Sequence, residues 1–207
     1  TYSQNYSTEL ESHMLKNSEW GAVVYLTESS YGRNGTEITQ NTSSSVITGS
    51  AEGSDGNTNT DYTSADGQKA SSTGNVYGIY DLSGGTVDYV AGYYNGSDAN
   101  ATYIGYGSSF ASIGGDSTKF ATTYNSSGSS KLSAEQNYKY GDATYETRNW
   151  HLDRDSFVNA DNPYVVRGGT HDDTTANAGI LNYYSRLAAT DTADSVLPYQ
   201  DNLSSVI

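Results

Sequence analysis

Apolar residues in this chain are gathered in a few short runs, and the most regular pair of runs lies between Asn75 and Tyr94. The two runs flank a Ser-Gly-Gly segment at Ser83–Gly85, which is typical of a tight turn. Apolar or aromatic residues recur on either side of this turn at Val76, Ile79, Leu82, Val87, Tyr89 and Ala91. Two β-rich runs around a glycine turn predict a strand, a turn and a second strand.

The N-terminal part of the chain has the spacing of a helix. Thr8 and Glu11 are spaced as in a capping box, where a hydroxyl and a carboxylate each accept a hydrogen bond from an exposed backbone N–H. Apolar side chains recur at helical spacing at Leu10, Met14, Leu15, Trp20, Val23 and Val24. The pattern predicts a helical region over Ser7–Ser29, which Lys16-Asn17 can divide in two, with Trp20 as a core anchor.

The rest of the chain is rich in Gly, Ser, Thr and Asn, and its apolar pattern is weak. Between residues 27 and 74 only Ile38, Val46 and Ile47 indicate a short strand, so this segment is expected to be mostly irregular. Further predicted strands cover Ala101–Tyr106, Phe120–Tyr124, Tyr164–Arg167, Ala178–Arg186 and Leu203–Ile207. Ala143–Asp155 is predicted to be a helix with Trp150 on its buried side.

The length of 207 residues fits a single domain, residues 1–207, that can bury a core. Aliphatic residues are few, so the 20 tyrosines are expected to supply much of the packed surface. Acidic residues outnumber basic ones by 24 to 10, and the net charge of −14 argues against a nucleic-acid partner. No apolar stretch is long enough to span a bilayer, so direct membrane insertion by this segment is not expected. The polar composition suits an extracellular or cell-surface protein.

The residues that catalysis usually requires are few or scattered. The chain contains no cysteine, which excludes disulfides, cysteine nucleophiles and cysteine-based metal sites. His13, His151 and His171 lack the spacing of metal ligands, and no Gly-x-Ser-x-Gly elbow stands between a strand and a helix. We therefore expect a protein that is not an enzyme.

Three segments, in order along the chain, carry a resemblance to a known family. They are Asn17-Ser18-Glu19-Trp20, Tyr77-Gly78-Ile79-Tyr80-Asp81-Leu82-Ser83-Gly84, and Val165-Val166-Arg167-Gly168-Gly169 followed by Ser185-Arg186. Together they resemble the formylglycine-generating-enzyme-like (sulfatase-modifying factor) branch of the C-type lectin fold. The resemblance implies an α+β fold with a small antiparallel sheet, one or two helices and long irregular loops.

The same segments, together with the apolar pattern, predict residues with a structural role. These residues are Trp20, Tyr80, Asp81, Trp150, Arg167, Gly168 and Gly169. Arg167 stands in a predicted strand before two glycines, which favours a guanidinium that pairs inside the fold while the backbone turns. The bulky members of this group are expected to form or brace the core, together with Leu82 and Val166.

The resemblance also bears on cofactors. Formylglycine-generating enzymes oxidise a substrate cysteine with a cysteine pair that this chain lacks, so their activity is not carried over. In the family, an Asn and a Glu after the glycine turn help to hold calcium, but the matching positions here are Gly85 and Asp88, with Val87 where Trp is usual. One ligand is lost and another is shortened, so we expect no cofactor and no metal site, with calcium as the remaining candidate.

Ligand contacts in C-type lectin folds come from the C-terminal strand-and-loop region, which implies a binding surface within Thr170–Gln200. Its candidate residues are His171, Asp172, Asp173, Thr174, Asn177, Asn182, Tyr183, Tyr184, Asp191 and Asp194. Tyrosine provides a large contact area at a low entropic cost, and Asn, Ser and Asp provide adaptable hydrogen bonds. Thr170–Thr175 and Thr190–Asp194 are expected to be exposed loops.

Variable proteins of diversity-generating retroelements are similar to this branch of the fold, and their diversified positions follow the Arg-Gly-Gly segment. Adenine-directed mutation of Asn codons yields residue types close to those of Thr170–Asp194, although Ser195–Ile207 replaces the usual closing Phe-Arg segment. The leading hypothesis is a non-catalytic, adhesin-like module that displays a surface for a protein or glycan ligand on a cell or virion. The alternatives are a subunit of a pilin-like surface fibre and an enzyme related to formylglycine-generating enzymes.

Overall fold

The computed structural model describes residues 13–42, 51–52, 59–94, 121–124, 139–153, 156–172 and 178–186. Within these residues, the helix α1 (Asn17–Glu28) precedes all the strands. The strands are β1 (Ala51–Glu52), β2 (Asn59–Thr60), β3 (Asp88–Tyr94), β4 (Thr122–Tyr124), β5 (Tyr164–Gly168) and β6 (Gly179–Arg186). Short 3-10 helices lie at Gly67–Ala70 and Tyr145–Thr147.

The main sheet has four strands in the order β4-β3-β5-β6, while β1 and β2 form a separate short ribbon. β5 pairs antiparallel with both β3 and β6, but β3 and β4 run parallel. The α+β class is therefore present, and the expectation of an antiparallel sheet holds for β3, β5 and β6 but not for the β3–β4 pair. Parallel neighbours need a crossover, and the long connection between Tyr94 and Thr122 is sufficient for one.

α1 begins at Asn17, at the break that the sequence predicts. The Glu19 carboxylate accepts a hydrogen bond from the Lys16 N–H at 2.7 Å, which satisfies a backbone donor that the helix leaves unpaired. A carboxylate in the first turn also complements the positive end of the helix dipole. The predicted capping box of Thr8 and Glu11 lies outside the described residues.

The main core joins α1 to the four-stranded sheet. Trp20 and Val24 of α1 are buried in it together with Leu15, Ile38, Leu82, Val90, Tyr94, Tyr124, Ala143, Phe157, Val158, Val165, Ile180, Leu181 and Tyr183. The Phe157 ring packs edge-on against Tyr124, with ring centroids 4.9 Å apart, and against Tyr183 at 6.2 Å. Tyrosines therefore contribute to the core, as the composition predicts.

Four of the predicted strands are present where the chain is described. β3 is the second strand predicted around the glycine turn, and β4, β5 and β6 fall within or close to Phe120–Tyr124, Tyr164–Arg167 and Ala178–Arg186. Ile38 is buried, but it lies in an irregular segment rather than in a strand. The other predicted strand positions, at Val46, Ile47, Ala101–Tyr106 and Leu203–Ile207, lie outside the described residues.

The first of the two strands predicted around the glycine turn does not form. The Ser72 N–H donates to Ile79 O at 2.9 Å, and the Ile79 N–H donates to Ser72 Oγ at the same distance, so Ile79 is held in a loop. Leu82 is buried as predicted. Tyr80 is only half-buried, and the prediction that it belongs to the core is wrong because its ring packs edge-on against the exposed Tyr62.

The helix predicted over Ala143–Asp155 is also absent, and only the 3-10 turn Tyr145–Thr147 forms there. The Glu146 carboxylate accepts hydrogen bonds from three backbone N–H groups, those of Gly141, Ala143 and Thr144. These donors are thereby fixed in a loop that curls around the Glu146 side chain. The predicted range is also interrupted by left-handed backbone at Ala143, Asn149, His151 and Leu152, which a periodic sequence pattern does not reveal.

Trp150 lies on the surface, so its predicted burial is wrong. Its side chain is 42% exposed, and its ring meets Tyr25 of α1 edge-on at 6.2 Å. The flanking residues Asn149 and His151 have φ of 76° and 51°. Left-handed backbone on both sides of Trp150 is incompatible with the right-handed helix that would have turned the ring inward.

Candidate functional site

Arg167 of β5 is fully buried, and its guanidinium donates to three oxygen acceptors. Nε donates to Asn17 Oδ1 at 2.8 Å, one terminal nitrogen donates to Ala143 O at 2.9 Å, and the other donates to Asp142 O. The Tyr183 ring lies 5.4 Å from the guanidinium carbon, within the range of a cation–π contact. Arg167 therefore ties β5 to the start of α1 and to the loop at residues 142–143, and it pairs inside the fold as predicted.

Tyr124 and Asp142 complete this buried network. The Tyr124 hydroxyl donates to Asp142 Oδ2, and Asn17 Nδ2 donates to the Tyr124 oxygen at 2.6 Å. Burial raises the pKa of Asp142, while the Tyr124 hydrogen bond and the Arg167 charge oppose that shift. Burial raises the pKa of Tyr124 well above its usual value and lowers the pKa of Arg167 to about 10. Near neutral pH, Tyr124 is therefore uncharged and Arg167 is cationic.

The end of β5 is also joined to the glycine turn at Ser83–Gly85. The Gly84 N–H donates to Gly168 O at 2.9 Å, and the His171 N–H donates to Gly85 O at 2.8 Å. Gly84 has φ of 74°, and a Cβ there would lie 2.2 Å from Asn41 O, so only glycine fits. The start of the β5–β6 connection therefore rests on the glycine turn, which is itself hydrogen-bonded to Asn41.

His171 and Asp172 are the first residues of the predicted ligand surface. His171 Nδ1 lies 3.1 Å from Gly85 O, and its Nε2 lies 3.2 Å from Asp172 Oδ1. The Asp172 side chain is 86% exposed, whereas the His171 side chain is 31% exposed. His171 is therefore anchored to the glycine turn, while the Asp172 carboxylate faces solvent.

Asn182 and Tyr183, which the sequence also predicts as ligand contacts, lie in the interior. Asn182 is fully buried and Tyr183 is 5% exposed. Tyr183 packs against Phe157 and Arg167, and its carbonyl accepts a hydrogen bond from the Ser156 N–H at 2.9 Å. The prediction is wrong for these two residues, because both are buried and the Tyr183 ring packs into the core.

The remaining predicted ligand residues add little to the described surface. Tyr184 belongs to β6, where it pairs with Val166 of β5. Residues of the predicted site that lie outside the described chain are Asp173, Thr174, Asn177, Asp191 and Asp194. In the described chain, the predicted surface is thus reduced to His171, Asp172 and the position of Tyr184.

Several of the residues predicted to be structural lie where that role requires them. Trp20 is buried, and its Nε1 donates to Ile180 O at 2.8 Å, which ties α1 to β6. Gly168 and Gly169 have φ of 78° and 74°, so the backbone turns at this pair as predicted. Asp81, which is half-buried, also has a positive φ, of 62°.

The sequence does not predict a second polar cluster, which lies at the C-terminal end of α1. His151 Nε2 lies 3.0 Å from Glu28 Oε2. Burial alone would lower the pKa of His151, but the hydrogen bond to Glu28 and nearby acidic charges outweigh it and raise the pKa. Burial and the charge of Glu37 raise the pKa of Asp153 to about 7. An isolated His-Leu-Asp is visible at residues 151–153, but no sequence spacing connects it with Glu28.

The buried network was missed for a similar reason. Asn17 and Asp142 are ordinary polar residues in the sequence, and nothing near them marks them as partners of Arg167. The Asn17-to-Arg167 hydrogen bond joins residues 150 positions apart. The one available signal was the predicted burial of Arg167, because a buried guanidinium requires acceptors from elsewhere in the fold.

The glycine turn, where the resembling family holds calcium, has few oxygen ligands here. Gly85 has no side chain, and Asp88 is buried with Oδ2 3.6 Å from where a Gly168 Cβ would lie. The turn thus presents one buried carboxylate instead of the family's Asn and Glu. Over the ranges that the structure describes, no group of three or more His, Asp or Glu residues is placed to hold a metal ion.

No protein family, curated protein or solved structure matches this chain. In the described part of the chain, no helix is both long enough and apolar enough to cross a membrane.

Proposed function

We propose that this chain is a non-catalytic binding module, exported to a cell surface or virion, that presents a polar surface at the β5–β6 connection to a protein or glycan. The observation that carries the proposal is the fully buried Arg167, which fixes the end of β5 immediately before that connection. Asp172, shortly beyond it, is 86% exposed. A rigid support that carries exposed polar loops is the arrangement that binding loops commonly use.

The sequence of the connection supports the same proposal. Residues 170–177 read Thr-His-Asp-Asp-Thr-Thr-Ala-Asn and contain no large apolar side chain. Such residues bury little surface on folding, so substitutions among them have little effect on packing. A surface that tolerates substitution and offers hydrogen-bonding groups suits a module whose ligand contacts vary between copies of the gene.

We further propose that the fold is the formylglycine-generating-enzyme-like branch of the C-type lectin fold. The support is that the third resembling segment contacts each of the other two. Asn17 of the first segment accepts a hydrogen bond from Arg167 of the third, and Gly84 of the second donates to Gly168 of the third. Agreement between separate motifs and one shared network of contacts is expected of residues that specify a common fold.

The binding proposal is tested by probing glycan and surface-protein arrays with the labelled chain, and then measuring the affinity of each hit for a variant. The variant is Asp172→Ala combined with Asp173→Ala. We expect the affinity to fall by about tenfold or more, equivalent to about 1.4 kcal/mol. The free energy of unfolding should change by less than about 0.5 kcal/mol, because exposed polar residues contribute little to stability.

The matched control is Asp66→Ala combined with Asp161→Ala, which removes the same charge from exposed positions elsewhere. Affinity should be nearly unchanged in this control. Equal losses in both double variants would show that general charge rather than the β5–β6 connection governs binding. The proposed surface is contradicted if the arrays contain no ligand. It is also contradicted if a ligand binds both double variants as tightly as it binds the wild type.

The genomic part of the proposal has a separate test. If the gene is diversified by a retroelement, the DNA beside it should contain a reverse transcriptase and a near-copy of the segment that encodes residues 170–194. Differences between the two copies should fall at adenines of the template. Their absence removes the argument for a variable surface but leaves a fixed binding surface open to the affinity test.

A further inference from the structure

The carboxyl group of Asp153 packs closely against Gly179, the first residue of β6. A Cβ on Gly179 would lie 2.2 Å from Asp153 Oδ2, so the carboxyl group occupies space that only glycine leaves free. Both carboxyl oxygens are buried, and apart from the nearby Leu181 N–H they lack hydrogen-bond donors among the described residues. A buried carboxylate with so little hydrogen bonding is unfavourable when charged, because its lost hydration is not replaced.

Charged side chains from several segments of the chain act on Asp153. α1 contributes Glu28, the segment after α1 contributes Glu37, and the turn itself contributes His151, whose Nε2 lies 3.0 Å from Glu28 Oε2. Glu28 Oε1 is also buried without a hydrogen-bond partner. β6 contributes the N–H of Leu181. Two acids thus disfavour a charge on Asp153, while His151 and one N–H favour it.

The backbone that carries Asp153 is strained. Asn149, His151 and Leu152 have φ of 76°, 51° and 63°, a region that residues with a Cβ rarely adopt. Such strain persists only where surrounding contacts hold it, and it is common in switch regions. Here the contacts are the Glu28–His151 pair, the edge-on packing of Trp150 on Tyr25, and the Asp153 carboxyl group against Gly179.

We propose that Asp153 and the Glu28–His151 pair form a proton-controlled latch, which holds the turn at residues 149–153 against α1 and the start of β6 in acid and weakens as the pH rises to neutrality. In the closed latch, Asp153 is neutral and fits beside Gly179, and a protonated His151 neutralises Glu28. Loss of either proton leaves a carboxylate that is buried or unpaired among other acids, so the open turn, in which water hydrates these groups, becomes relatively more favourable.

The direction of this pH dependence follows from proton binding. Burial raises the pKa of Asp153 from 3.8 to about 7 in the closed latch, whereas in the open turn the pKa returns toward its ordinary value. The closed state therefore binds more protons between these two values, and the equilibrium for opening rises by up to about tenfold per pH unit in that range. Above about pH 7, Asp153 is charged in both states and its effect levels off.

The latch also bears on the β5–β6 connection, and this consequence rests on the proposed function. Gly179 is the residue at which that connection enters β6, so a weakened contact with Asp153 loosens one end of the connection. Ligand affinity should then be greater near pH 5.5 than near pH 8. The latch itself exists independently of any ligand and can be tested without one.

The test is hydrogen–deuterium exchange of the ligand-free full chain from pH 5 to pH 8.5, corrected for intrinsic exchange, in peptides that cover residues 149–153 and 179–182. Opening in the wild-type chain should increase several-fold or more between pH 5 and pH 6, and the part of the increase that comes from Asp153 should level off above pH 7. Asp153→Asn keeps the size of the side chain and removes its proton equilibrium, so opening should not change between pH 5 and pH 6. Asp161→Asn, which removes the same charge at an exposed position outside the proposed binding surface, should behave as the wild type does.

The proposal is overturned if Asp153→Asn follows the wild-type pH profile, or if neither peptide changes with pH in the wild type. If Asp153→Asn does not fold, carbon-13 NMR of the wild-type Asp153 carboxyl group decides. A titration midpoint near 7 supports the latch, and a midpoint below about 5 overturns it, since that is close to an ordinary aspartate. Because no ligand is present, failure here leaves the binding proposal standing, and failure of the array screen leaves the latch standing.

Discussion

Arg167 illustrates how much of the fold a single side chain can hold. Its planar guanidinium reaches acceptors on Asn17, Asp142 and Ala143 at the same time, and these belong to two segments far from β5 in sequence. Burying such a charge is unfavourable unless its donors are satisfied. The three acceptors satisfy the buried cation, so the network specifies where α1 and the loop at residues 142–143 meet β5.

Arg167→Lys tests this specification without changing the net charge. Lysine carries a compact ammonium that cannot span the three acceptors in the fork geometry of arginine, so buried carbonyl and amide oxygens are left unpaired. We expect the free energy of unfolding, measured by urea denaturation, to fall by about 2–4 kcal/mol. The control is Arg148→Lys at an exposed position over the Tyr145 ring, where the loss should stay below about 1 kcal/mol. Similar losses in both variants would contradict the structural role of Arg167.

The two tryptophans separate a buried position from an exposed one. The sequence pattern treats Trp20 and Trp150 alike and predicts that Trp150→Ala unfolds the domain. In the structure Trp20 is buried and donates to Ile180 O, so Trp20→Ala should lower the free energy of unfolding by about 3–5 kcal/mol. Trp150 is 42% exposed and loses mainly its contact with Tyr25, worth about 1 kcal/mol. Urea denaturation of both variants checks this order, and a larger loss for Trp150→Ala would refute it.

At the scale of elements, α1 approaches the loop at residues 141–142 closely enough to require a glycine. A Cβ on Gly21 would lie 1.9 Å from Gly141 O and 2.7 Å from the Asp142 carbonyl carbon. This approach brings the helix beside the carbonyl groups that accept from Arg167. Glycine is otherwise unfavourable inside a helix, so its presence here reflects packing between elements rather than helix propensity.

Gly21→Ala should therefore destabilise the protein even though it raises helix propensity. Alanine is favoured over glycine in a helix by about 1 kcal/mol, but the clash with backbone atoms should exceed this gain and give a net loss of about 1–3 kcal/mol. Ala22→Gly, at an exposed position in the same helix, should lose only the propensity difference of about 1 kcal/mol. Thermal denaturation distinguishes the two, and a stabilised Gly21→Ala protein would mean that α1 does not approach this loop.

At the scale of the whole molecule, the net charge of −14 and the buried acids both make the folded state less stable as the pH rises. The pKa values of Asp142, Asp153 and His151 are all raised in the fold. Each of these three groups therefore binds more protons in the native state than in the unfolded state, and the stability it contributes falls as the pH rises through its raised pKa. Repulsion among the surface acids also becomes weaker as acid neutralises them.

The melting temperature should consequently be higher near pH 5.5 than near pH 8. Differential scanning calorimetry at constant ionic strength measures the difference, and high salt should remove the part that comes from surface repulsion. Asp153→Asn should reduce the remaining difference, because the buried acid with its pKa raised to about 7 is then absent. A melting temperature that rises toward pH 8 would falsify the protonation states assigned to the buried groups.

The sequence by itself determined the elements whose pattern is local. α1, β5 and β6 follow from apolar spacing and from breaks at Lys16-Asn17 and Gly168-Gly169, since backbone conformation there depends mainly on neighbouring residues. The burial of Arg167 was predictable from its position in a predicted strand before two glycines, which favours a guanidinium that pairs inside the fold. Of the candidate site, the exposed Asp172 was predictable from a run of polar residues.

Only the tertiary structure decided which side of each element faces the core. Tyr183 is buried because Phe157 and Arg167 cover its ring, and no local pattern reports those partners. Trp150 is exposed because left-handed backbone at Asn149 and His151 prevents the predicted helix. Asp153 acquires its unusual pKa from its burial and from the charge of Glu37, which lies far from it in sequence. Burial and electrostatics depend on long-range neighbours, and these exist only once the chain has folded.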